Sequence, residues 1–178
     1  MPVTRRCSAL AWWAGVIVWM GVIFILSGET GTESSGLSGA VVDLLDKVTG
    51  VIGLHPDHDT MQLVVRKCAH LLAYLILGAL TTVAWRRWPG ANRPASGRGA
   101  LRWDLIGPAL IGIAYAGTDE VHQLFVAGRS GQATDVLIDA AGVLVGVGLV
   151  ALARRRATAA PGYRDGVTEH ARAGERET

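Results

Sequence analysis

Charge is what this sequence has least of. Only 18% of its 178 residues are charged, where a soluble domain normally carries about a quarter. The charges are gathered into short blocks, half of the residues are hydrophobic, and the mean hydropathy is +0.32. This excludes an ordinary soluble domain and implies a small polytopic membrane protein, one compact domain by its length. Cysteine is nearly absent too: Cys7 and Cys68 are too few for a disulfide scaffold. Cys7 precedes the first apolar run, so it does not read as a lipoprotein cleavage site. That run exceeds the ~7–15 residues of a signal-peptide core and no Ala-x-Ala site follows it, so it reads as a retained anchor. A net charge of only +2 gives no reason to expect a nucleic-acid partner.

What is present is four long apolar stretches, 10–26, 62–85, 105–126 and 134–153. At ~1.5 Å per residue each approaches or exceeds the ~30 Å of a bilayer core. Between the first two, Leu37, Val41, Leu44, Leu45, Val48 and Ile52 recur at three- and four-residue spacing, with Asp43, Asp46 and Lys47 elsewhere around the wheel. This predicts a short amphipathic helix, lying on the membrane surface or over the ends of the spans. The expected fold is all-α: an integral membrane bundle of four transmembrane helices over 1–153, with that short helix in the first external loop. Residues 154–178 read as a basic, then mixed-charge tail that is disordered.

Orientation follows from the basic residues. Arg5, Arg6, Arg86, Arg87, Arg93, Arg98, Arg102 and Arg154 to Arg156 fall on one side, against Lys47, Arg66, Lys67 and Arg129 on the other. The bias predicts both termini in the cytoplasm.

The third stretch is interrupted by Thr118-Asp119-Glu120-Val121-His122-Gln123-Leu124-Phe125, closed by Gly128-Arg129-Ser130. Ionisable groups in such segments face a bundle interior or a wet cavity, and they mark function. Arg66, His70 and Tyr74 stand at i, i+4, i+8 in the second stretch. Asp119, His122 and Gln123 stand at i, i+3, i+4 in the third. Asp135, Asp139, Gly142 and Gly146 follow at i, i+4, i+7, i+11 in the fourth. Gly142-x-x-x-Gly146 permits close helix approach, and Gly112 and Ala116 can do likewise. With the termini inside, these stripes share the outer half of the membrane and converge into one cluster with internal ion pairs, Asp139 held ionised by Arg66 or Arg129.

A His–Asp pair can act as a general base, with Arg66 or Arg129 stabilising an anion. No serine sits in a nucleophile-elbow setting. His-Glu-x-x-His and other tight ligand spacings are absent, so no metal or cofactor is assigned, although Asp119, Glu120, His122 and His70 include metal-ligand types.

The motifs Arg66-Lys67-x-x-His70-x-x-x-Tyr74, Asp119-Glu120-x-His122-Gln123-x-Phe125 with Gly128-Arg129, and Asp135-x-x-x-Asp139-x-x-Gly142-x-x-x-Gly146 together resemble the VanZ-like family, over roughly Leu10 to Ala153. That family consists of small bacterial membrane proteins with several spans, and its namesake is associated with teicoplanin resistance. Members often carry Ser-x-Gln where this chain has Ser27-Gly28-Glu29, and many have Asn at the position of Asp139. The resemblance implies a plasma-membrane, envelope-associated accessory protein. Its cluster would bind a polar or anionic ligand: a cell-wall precursor, lipid headgroup or lipoglycopeptide. A membrane-embedded hydrolase or transferase on the same His and Asp residues is the alternative reading, and an ion- or proton-coupled carrier the third.

Overall fold

In a computed structural model of the chain, residues 3–28, 39, 41–44, 46–47, 57–88, 98–127 and 132–159 are described. Four long helices take up most of them: α1 (Val3–Ser27), α2 (His58–Arg87), α3 (Arg98–Gln123) and α4 (Ala133–Ala159). Among the described residues there is no strand, as the all-α expectation requires.

Local chemistry sets several helix ends. Asp57 caps α2, its carboxylate accepting from the Thr60 amide at 3.1 Å, and Arg86 and Arg87 close the last turn, where basic side chains complement the helix dipole. Inside α2, Thr81 and Thr82 are buried, but their hydroxyls donate to the Leu77 and Gly78 carbonyls. Polar side chains are thereby satisfied within an apolar segment.

α2 is the central helix and touches the other three. It runs antiparallel to α1, with Trp12 under the Arg87 guanidinium and Trp19 Nε1 donating to the Ala73 carbonyl at 2.9 Å. It runs antiparallel to α3, where Arg86 pairs with Asp104 at 2.5 Å, and parallel to α4. The α2–α4 contact is made by backbone. A Cβ at Gly142 would meet the Leu71 carbonyl, one at Gly146 the Leu75 carbonyl, and one at Gly78 the backbone of Val143. Between helices in lipid there is no hydrophobic driving force, so such close packing supplies much of the attraction.

The bundle is apolar outside, and its interior combines an apolar core around Val16, Leu77 and Val143 with several buried acids. Ile17, Val18, Leu72, Leu110, Leu137 and Leu149 are exposed, whereas Asp104, Asp119, Glu120 and Asp139 are buried. α1, α2 and α4 are long and apolar enough to cross a membrane. α3 is comparably long, but Arg102, Asp104, Asp119 and Glu120 dilute its hydropathy, so among the described residues three such helices are found where the sequence predicts four.

The boundaries differ from the apolar runs at several points. α3 begins at Arg98 and ends at Gln123, so Leu124 to Val126, assigned to the third span, lie in a turn. α4 continues to Ala159 and carries Arg154 to Arg156 as helix instead of disordered tail, because nothing in that Ala/Arg-rich stretch breaks a helix. Residues 160–178 lie outside the described residues. In the first connection, residues 41–44 and 46–47 are helical. Val42 is buried there while Val41 and Leu44 are exposed; Leu37, Leu45, Val48 and Ile52 of the predicted apolar face lie outside the described residues. Cys7 and Cys68 are free and exposed.

Candidate functional site

The C-terminal ends of α1 and α3 meet the N-terminal ends of α2 and α4 at one end of the bundle. Three helices each place one buried or half-buried ionisable group there. At ~1.5 Å per residue, His70 lies ~18 Å along α2, Asp139 ~9 Å along α4, and Asp119 ~6 Å before the end of α3. One nitrogen of His70 and one oxygen each of Asp119 and Asp139 lie within 4.8 Å of one another. The close α2–α4 packing at Gly142, one turn beyond Asp139, brings His70 and Asp139 together.

The hydrogen bonding within this group is uneven. Asp119 is 2% exposed, and its Oδ2 accepts from Ser27 Oγ at 2.8 Å and from Gln123 Nε2 at 3.4 Å. Its Oδ1 is buried with no hydrogen-bond partner. Asp139 is 1% exposed and neither oxygen has a hydrogen-bond partner. The nearest counterpart is His70 Nδ1, 3.6 Å from Oδ1, which is beyond hydrogen-bond reach. Tyr74, fully buried beside His70, leaves its hydroxyl without a partner, and its ring stacks on that of His70 at 6.5 Å.

Such acceptors are expensive to bury. At an effective dielectric of ~20, two ionised carboxylates with oxygens within 4.8 Å of each other repel by at least ~3.5 kcal/mol. Each buried acceptor left unpaired costs a further ~1–3 kcal/mol. The arrangement can accept hydrogen bonds, take up protons or hold a cation.

Two more carboxylates border the group. Glu120 is buried and accepts through Oε1 from the Gln132 amide, while Oε2 has no hydrogen-bond partner. Asp135 pairs with Lys67 at 2.6 Å.

Of the residues singled out in the sequence, His70, Tyr74, Asp119, Glu120, Gln123, Asp135 and Asp139 fall in this region. Of the two arginines expected beside Asp139, the one within the described residues does not pair with it. Arg66 is half-buried, with no hydrogen-bond or ion-pair partner among the described residues, and Arg129 lies outside them. Among the described residues Asp139 faces an imidazole and a second acid. His122 also departs. It turns toward α1 and stacks on Phe24 with ring centroids 4.0 Å apart, because a position three residues after Asp119 falls on the flank that α1 covers. Gly142 and Gly146 pack on the backbone of α2, and Gly112 on the Val143 side chain.

Three participants were not singled out. Lys67 stands in the motif only beside Arg66, but its ammonium pairs with Asp135. Ser27, together with the expected Gln123, orients Asp119. Tyr115, from α3, donates to the Met20 carbonyl at 2.6 Å and fastens α1 beside the site. Ser27 carried a weak signal, as the first polar residue after a long apolar run.

The family model described as VanZ/LLP1 matches residues 12–154. No curated protein and no solved structure matches the chain.

Proposed function

This chain belongs to the VanZ/LLP1 family, and on that premise we propose that it is an envelope-associated membrane protein that binds a polar ligand in the cluster around His70, Asp119 and Asp139. The observation that carries this reading is the unmet acceptor capacity of Asp139. Two fully buried oxygens without a hydrogen-bond partner, facing an imidazole and a second carboxylate, require donors or positive charge from elsewhere. A ligand presenting ammonium, amide or hydroxyl groups fits, such as the headgroup of an envelope lipid or of a membrane-borne cell-wall precursor. A bare anion fits less well, since among the described residues no arginine pairs with Asp119 or Asp139.

In this reading α3 is a fourth span. Its acids turn inward, and Ile106, Leu110 and Val121 remain exposed on its outer surface, as lipid contact demands. The cluster lies on the extracytoplasmic side, because the basic residues gather at the opposite end. Cysteine placed at Thr32 is expected to label from outside and at Ser96 from the cytoplasm; the reverse pattern would move the cluster to the cytoplasmic face.

The binding test uses the detergent-solubilised protein with phosphatidylethanolamine, phosphatidylglycerol and a lipid-linked cell-wall precursor. A saturable rise in thermal midpoint is expected with a donor-bearing headgroup, and its loss in His70→Ala and Asp139→Asn. No saturable response, or one unchanged in both variants, defeats the reading. A hydrolase or transferase draws on the His70–Asp139 approach of 3.6 Å and is distinguished by turnover of the bound lipid.

A further inference from the structure

We propose that His70, Asp119 and Asp139 form a binding site for one first-row divalent cation, of the class of Zn²⁺ or Mn²⁺. The proposal rests on the reading of this cluster as a binding site, and names the species that meets its buried acceptors.

The donor set comes first. One imidazole and two carboxylates, each from a different helix, converge with one donor atom apiece inside 4.8 Å. Mixed nitrogen and oxygen ligands suit first-row divalent ions, whereas Mg²⁺ and Ca²⁺ prefer oxygen alone.

The spacing comes second. His70 Nδ1 and Asp139 Oδ1 are 3.6 Å apart, too far for a hydrogen bond. Two ligand atoms each ~2.0–2.1 Å from a tetrahedral ion are separated by ~3.4 Å, so this pair already stands near coordination distance. The widest separation in the group, up to 4.8 Å, closes with a shift of ~1.4 Å, within the reach of a side-chain rotation at ~2.0–2.1 Å ligand distances.

The independent observation is the state of the carboxylates. Asp139 is 1% exposed and neither oxygen has a hydrogen-bond partner. A buried charge of that kind is normally paired or bound to metal. Asp119 shows the division of labour usual for a metal ligand: Ser27 and Gln123 hold Oδ2, which leaves Oδ1 buried and unpartnered. Outer hydrogen bonds of this sort fix the orientation of ligating side chains. A divalent ion also cancels two carboxylate charges, whereas the one cation-forming side chain beside Asp139 among the described residues, His70, carries at most one positive charge. Three protein ligands leave at least one coordination position open, where an oxygen of the bound headgroup can enter.

The experiment is metal binding to the full-length protein, solubilised in detergent and stripped with chelator. Zn²⁺ and Mn²⁺ are titrated by calorimetry, and Co²⁺ is added as a spectroscopic probe of the unmodified chain. One tightly bound ion per chain is expected, with a Co²⁺ absorption spectrum showing mixed nitrogen and oxygen ligation. Asp139→Asn and His70→Ala should each weaken binding by more than the ~10–100-fold typical of losing an outer-shell partner. His58→Ala, which alters an exposed His58–Asp43 approach of 4.0 Å outside the site, should leave it unchanged. Absence of stoichiometric binding in the wild type, or equal loss in His58→Ala, overturns the proposal. If lipid headgroups bind in an Asp139-dependent way without any ion, the cation is wrong and the binding site stands. If the ion binds and no headgroup does, the cation stands and the headgroup reading fails.

Discussion

Replacing Asp139 with asparagine keeps the shape of the side chain and removes its charge, so its effect on stability should reverse in sign with the availability of a divalent ion. In chelator, the substitution relieves a repulsion of ~3.5 kcal/mol between carboxylates within 4.8 Å. It also gives Asp119 Oδ1 an amide donor. The asparagine amide carries its own cost of burial, which leaves a net gain of ~1–2 kcal/mol. For a chain of this size ~1 kcal/mol moves the thermal midpoint by ~2–4 °C, so the variant should melt ~2–8 °C above the wild type. With ion at ~100 times its dissociation constant, the wild type gains ~2.7 kcal/mol, or ~5–11 °C, and the variant little. The order of the two proteins then inverts. The assay is thermal unfolding of both in one detergent, with chelator and with Zn²⁺ or Mn²⁺. If Asp139→Asn melts lower in chelator, a positive side chain such as Arg129 already pairs with Asp139, and the reasoning from unmet acceptors is refuted.

Gly146→Ala should destabilise the bundle by ~1–3 kcal/mol or more, because the new methyl group enters the backbone of α2 at Leu75. Gly148→Ala meets nothing within 4 Å and should be neutral or gain up to ~1 kcal/mol of helix propensity; equal effects on the unfolding midpoint would contradict the close α2–α4 contact. Ser27→Ala removes a hydrogen bond to a buried carboxylate and should cost ~1.5–3 kcal/mol in the same assay. In a background of Cys7→Ser and Cys68→Ser, His70→Cys with Asp139→Cys should be bridged by mercuric ion. His70→Cys with His122→Cys should not, and bridging of that second pair would return His122 to the cluster.

Helical periodicity made most of the architecture legible. Asp135, Asp139, Gly142 and Gly146 lie at the spacing of one face, and the structure turns Asp139, Gly142 and Gly146 inward as that spacing implies. What periodicity cannot supply is which neighbour covers which flank. Lys67, His70 and Tyr74 stand at i, i+3, i+7, as good a stripe as Arg66, His70 and Tyr74 at i, i+4, i+8. The choice of Lys67 as the partner of Asp135 depends on where α4 packs. His122 and Gln123 both sit within a turn of Asp119, but α1 occupies the side that His122 faces. Ser27 was hidden because its role depends on a helix 92 residues away in sequence. Helical stripes do place His70, Asp119 and Asp139 in one cluster. Which of its members come within ligand distance of one another is recorded by no local spacing, because they come from three helices.

The most direct measurement is an anomalous-difference map from crystals of the full-length protein grown with Zn²⁺ or Mn²⁺. A single peak is expected among the three side chains, ~2.0–2.2 Å from one atom each of His70, Asp119 and Asp139, with any bound headgroup at the open position. A map with no peak there, or with a peak only at the exposed His58–Asp43 approach, would contradict the claim that this buried group exists to bind.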